Sequence, residues 1–80
     1  MNKQEYCQFL NAEVIKEKDI EGYRVYFLKG EKDEKVALAW FSEVDGNNYG
    51  NYVMLSPDIT DIDEHLQVLE HNFTETIKSL

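Results

Sequence analysis

The stretch "YRVYFLKGEKDEKVALAWFSEVDGNNYGNYVML", residues 23–55, decides the fold class of this chain. Its first part alternates Tyr23, Val25 and Phe27 with Arg24, Tyr26 and Leu28, and β-branched and aromatic residues at a period of two mark a strand. The charged segment Lys29–Lys35, with Gly30, reads as a surface connection. "KVALAWFSEV" then forms a second strand. Asp45–Gly50, "DGNNYG", holds the strongest turn signal, because its residues tolerate positive φ. "NYVMLS" makes a third strand, ended by Pro57.

The second strand has no polar side. Val36, Leu38 and Trp40 project one way and Ala37, Ala39 and Phe41 the other, so it is predicted to be central and buried on both faces. Two outcomes follow. Either helices cover both faces of the sheet, or one face stays open and forms an association surface from residues such as Tyr26, Leu28, Trp40 and Phe41.

Helical patterns flank the strands. Residues 3–14, "KQEYCQFLNAEV", gather Tyr6, Phe9, Leu10 and Val14 on one side. "VIKEKDI" beyond them reads equally as more helix or as an extended segment. Near the other end, Ile62, Leu66, Leu69, Phe73, Ile77 and Leu80 recur at steps of three and four, a single apolar stripe. Thr60 and Asp63 fit a capping box, and Ser56 before Pro57 is a rival start one turn earlier. The predicted architecture is a single α+β domain over residues 1–80. Its order is α-β-β-β-α, a three-stranded antiparallel meander packed by two helices.

Eighty residues build a core that supplies only about 3–5 kcal/mol unless something reinforces it. Cys7 is the only cysteine, so no disulfide within the chain does so. A lone thiol, the absence of a long apolar run and an N-terminus without an apolar signal core predict a cytoplasmic protein away from membranes.

Charge is lopsided. Residues 1–35 hold seven cations against eight anions, whereas residues 36–80 set Lys78 alone against eight acids. The net charge of −8 repels nucleic acid and acidic lipid and favours basic partners. The α-β-β-β-α order is shared with double-stranded-RNA-binding modules, which carry cations at the start of the last helix. Here that helix begins "TDIDEH", so the chemistry is reversed and direct nucleic-acid binding is not expected.

Catalysis and metal binding find little support. His65 and His71, six residues apart, diverge by about 120° on a helix and cannot share an ion. No calcium loop or glycine-rich phosphate loop is present, and Cys7 beside Phe9 reads as an inert thiol. No catalytic residue, cofactor or metal is assigned.

The acids of the last helix remain. Asp61, Asp63 and Glu64 suit the helix N-terminus, where the dipole favours anions; Glu70 and Glu75 have no such explanation. Together these five are the candidate contacts to a protein partner with a basic surface, the logic of small acidic inhibitors and immunity or antitoxin-like proteins. A homodimer through the aromatic sheet face is the alternative.

Overall fold

The computed structural model describes all 80 residues as α1 (Lys3–Leu10), β1 (Ala12–Ile20), β2 (Tyr23–Lys32), β3 (Lys35–Val44), β4 (Asn47–Leu55) and α2 (Ile62–Lys78). The fold is α+β, and its sheet is an antiparallel meander in the order β1-β2-β3-β4. The sheet therefore has four strands rather than three.

The additional strand comes from the segment that sequence left open. α1 begins with a reciprocal capping box between Asn2 and Glu5 and stops at Asn11, whose left-handed backbone (φ 52°, ψ 47°) ends the helix. The Asn11 carboxamide donates to the Glu31 carbonyl, which ties the exit of the helix to β2. Residues 12–20 then run back along β2, from Ala12 opposite Gly30 to Ile20 opposite Tyr23. The helix predicted over residues 3–14 is shorter for this reason, and Val14 lies in β1.

All three hairpins close through two-residue turns with both central residues at positive φ: Glu21–Gly22, Asp33–Glu34 and Asp45–Gly46. That conformation matches the right-handed twist of the flanking strands. Two turns are thereby corrected. Gly30 sits inside β2, the charged turn being Asp33–Glu34, and the "DGNNYG" turn is Asp45–Gly46 alone, with β4 starting at Asn47.

The helices straddle the sheet. On one face α2 lays Leu66, Leu69 and Phe73 over Val25, Phe27, Leu38, Trp40 and Val44. On the other, Tyr6 and Leu10 of α1 pack on Leu28, Ala37, Ala39 and Phe41. The side chains of β3 alternate between these two cores, which is why that strand is apolar on both sides. Tyr26, Leu28, Trp40 and Phe41 consequently form no open face. Trp40 lies on the α2 side and the others on the α1 side, and Leu28, Trp40 and Phe41 are 0%, 1% and 5% exposed. Tyr26 is half-buried, with the Lys3 ammonium 4.1 Å above its ring. One small helix per face suffices to close both cores.

The α2 cap is Asp61, whose carboxylate accepts from the Glu64 amide at 3.1 Å. It replaces the predicted Thr60–Asp63 box, one residue later. The apolar stripe ends at Ile77, since Leu80 is exposed.

Tyr6 carries a testable consequence of this packing. Its ring lies 5.8 Å from Phe41, and its hydroxyl is buried with no hydrogen-bond partner. Burial, with a smaller contribution from Tyr52, pushes the Tyr6 phenol up to about 12. An unfolded chain ionises tyrosine near ~10, so above that pH the unfolded state binds fewer protons than the folded one. The stability that neutral Tyr6 contributes is intact below pH ~10 and lost as pH rises through the folded value. Denaturant midpoints measured from neutral to strongly alkaline pH should fall over this window, and Tyr6→Phe should remove part of that fall. An equal alkaline loss in both proteins would place the titrating group elsewhere.

Candidate functional site

The five predicted acids separate into two environments. Asp61, Asp63 and Glu64 stand at the head of α2, all exposed. The helix N-terminus directs its unsatisfied amides and positive dipole end here, so the local sequence stabilises a concentration of carboxylates. Asp61 spends one oxygen on capping. Asp63 and Glu64 take part in none of the molecule's ion pairs. Asp58 extends the cluster upstream; the Ser56 hydroxyl holds its carboxyl below the usual carboxylate range.

Glu70 and Glu75 are placed differently. The Lys18 ammonium of β1 reaches Glu70 at 2.6 Å, and Glu75 lies 3.7 Å from Lys78 and 4.0 Å from His71. These residues, with Lys16, line a polar groove of about 530 Å³ between β1 and α2. The Lys18–Glu70 pair is partly solvated and is worth at most about 1 kcal/mol. Its larger effect is to compensate Glu70 from within the molecule. Glu70 and Glu75 thus each lie within reach of a cation, unlike Asp63 and Glu64. From sequence, the cation that neutralises Glu70 was invisible, because it arrives from 52 residues away across a strand not assigned as one.

His65 and His71 lie on separated parts of α2, half-buried and exposed respectively, and no group of three or more His, Cys, Asp or Glu side chains converges as a metal site would require. Cys7 is half-buried and borders an open groove of about 610 Å³ beside α1, whose lining includes Gln4, Gln8, Lys29 and Glu31 but no histidine. At the β3–β4 hairpin the Tyr23 hydroxyl lies 3.4 Å from the Asp45 carboxylate, whose charge raises the phenol above its ordinary range. That contact joins two turns and makes no pocket.

One further feature escaped sequence reasoning. β4, "NNYGNYVML", contains no charged residue across Asn47–Leu55, in a chain in which 30% of residues are charged, and the fold makes it an edge of the sheet. The missing charge was legible in the sequence, but its position at an edge was not.

No helix is long and apolar enough to cross a membrane. No protein-family model, curated protein or solved structure matches the chain.

Proposed function

We propose that this chain is a non-enzymatic binding protein that covers a basic surface of a protein partner, in the manner of small acidic inhibitors and antitoxin- or immunity-like proteins. The observation that carries this reading is the exposed cluster Asp58, Asp61, Asp63 and Glu64 at the head of α2, where Asp63 and Glu64 have no cation of their own. The helix backbone carries Asp61, Asp63 and Glu64 at set positions, so little backbone ordering is required on binding. Such a cluster accelerates encounter with a cationic surface and makes affinity depend steeply on ionic strength. A groove built to hold phosphates is one such surface, and the partner could be a nucleic-acid enzyme.

The test is capture from the native host at two salt concentrations, followed by titration of the purified partner. Affinity should fall steeply with salt, and the charge reversal Asp63→Lys/Glu64→Lys should reduce it at least about tenfold, the scale of two lost charge-assisted contacts. Glu70→Gln, which alters an acid already compensated by Lys18, should change it far less. Affinity that ignores both salt and the double reversal would rule out the electrostatic reading.

A further inference from the structure

The two edges of the sheet are built to opposite specifications. β1 carries Glu13, Lys16, Glu17, Lys18 and Asp19, and its pairing is broken by a bulge between Val14 and Lys16. Charge and bulges are the usual means of preventing an edge strand from pairing with another chain. β4 has neither: nine residues without charge or proline, in unbroken register with β3 from Val36–Leu55 to Val44–Asn47.

The hairpin geometry specifies which backbone groups β4 leaves open. A two-residue turn closes on a hydrogen-bonded pair, here Val44 and Asn47, so the odd-numbered residues of β4 bond to β3. Asn48, Gly50, Tyr52 and Met54 then direct their N–H and C=O groups outward. In agreement, the Tyr52 amide donates to no strand; it donates to the Asn51 side chain at 2.9 Å, a contact that pairing with another strand would replace.

Uncharged residues also flank the middle of this edge above and below. Asn51 donates to the Asn72 carboxamide of α2 at 3.0 Å, which fixes the flank of α2 that overlooks β4. The neighbours of Asn72 four residues away, Val68 and Thr76, carry no charge; Glu75, three residues away, is charged and lies 3.7 Å from Lys78. Val68 is 61% exposed. On the other face, the Phe9 and Tyr52 rings meet edge-to-face at 6.0 Å and both remain exposed. The Tyr6 hydroxyl, buried without a partner, belongs to the same region: the ring carbon that bears it would be 3.0 Å from a Cβ at Gly50.

We propose that β4 pairs antiparallel with β4 of a second copy of this chain, joining two four-stranded sheets into one. The occupant follows from charge and symmetry. Two chains of net charge −8 repel least where they meet through a strand that itself carries no charge, as β4 does, with the nearest acids, Glu43, Asp45 and Asp58, beside or beyond its ends. Within β4 a basic partner would meet no carboxylate. Full overlap of the nine residues puts the two-fold axis at Asn51, and it matches Gly50 with Tyr52 of the partner subunit, both with outward backbone groups. The same patch thus completes itself, as a two-fold contact requires. The pairing also sets an aromatic ring across from a strand glycine, an arrangement that shields the exposed glycine backbone. This inference is independent of the acidic reading of α2: one concerns an edge, the other a helix end on separate residues.

Sedimentation equilibrium from low micromolar concentration to the solubility limit is expected to show a species of twice 9.4 kDa. Tyr52→Pro removes an outward N–H, and with it the bond to the Asn51 side chain, without touching the β3 ladder, a position at which an edge strand accepts proline. It should raise the dimer dissociation constant at least about tenfold, since symmetry loses the bond twice, with the far-ultraviolet spectrum retained. Amide exchange on the unaltered protein supplies a test free of any folding defect: the Gly50 and Tyr52 amides should become more protected as concentration rises. A wild-type chain that remains monomeric throughout overturns the proposal. So does a dimer whose Gly50 and Tyr52 amides exchange at monomer rates.

Discussion

Phe73→Ala is expected to leave little of the chain folded at room temperature. Phe73 is fully buried and meets the Trp40 indole edge-to-face at 5.1 Å, at the centre of the α2-side core. Truncating a buried phenylalanine to alanine costs about 3–5 kcal/mol through lost transfer energy and the cavity left behind. A domain of this size has a total stability of the same order. The core has no means of spreading the loss, because only 15 of 80 residues are buried and they are divided between two faces. Trp40 is the only tryptophan, and its ring N–H donates to Asn72 at 2.8 Å, so its fluorescence reports directly on whether α2 is docked. Val68→Ala on the same helix is the matched control, since exposed positions change stability by no more than about 0.5 kcal/mol. Equal denaturant midpoints for the two variants would contradict the packing of α2 described above.

Gly30→Ala should be nearly as damaging, for a steric rather than a hydrophobic reason. A Cβ at Gly30 would lie 2.3 Å from the Asn11 carbonyl oxygen and 2.6 Å from the Ala12 Cα. Both are backbone atoms, so no rotamer change relieves the overlap. The exit of α1 and the start of β1 would have to lift from β2, releasing the Asn11–Glu31 hydrogen bond and loosening Leu10. Overpacking of this kind costs about 3 kcal/mol or more. Gly22→Ala is the informative comparison, because a Cβ there meets nothing within 4 Å. Its penalty is confined to holding a non-glycine residue at φ 84°, about 1–2 kcal/mol. A Gly30→Ala protein as stable as the Gly22→Ala protein would mean that the α1–β1 corner does not approach β2 as closely as observed. Hydrogen exchange would locate the damage: Gly30→Ala should expose β1 amides first, while those between β3 and β4 remain protected.

The acidic head of α2 and the β4 edge were legible to different degrees. The residues Asp61, Asp63 and Glu64 can be read from composition and helical spacing, and α2 places them where that spacing predicts. Glu70 could not be distinguished from them, because its neutralisation depends on Lys18, a residue on the adjacent face of the sheet. The aromatic residues posed the reverse difficulty. Their pattern established that both faces of β3 demand burial, but periodicity alone does not reveal whether helices or a second molecule meet that demand.

Local chemistry by itself determined α2, the central position of β3, the alternation of β2 and the presence of a turn after Val44, though not its two-residue length. Each is fixed by side-chain period or by which residues tolerate positive φ, and neither property requires knowledge of distant neighbours. β1 was decided by tertiary structure alone. Its sequence, rich in Glu and Lys, is as suited to a helix as to a strand, and almost all of it is exposed. It is extended because it completes a hydrogen-bond ladder with β2, and because Asn11 turns the chain back along that strand. The same pairing makes β4 the opposite edge and sets the Lys18 charge against Glu70. Which acids stay free, and which edge stays open, therefore follow from a hydrogen-bond ladder between segments that no local pattern connects.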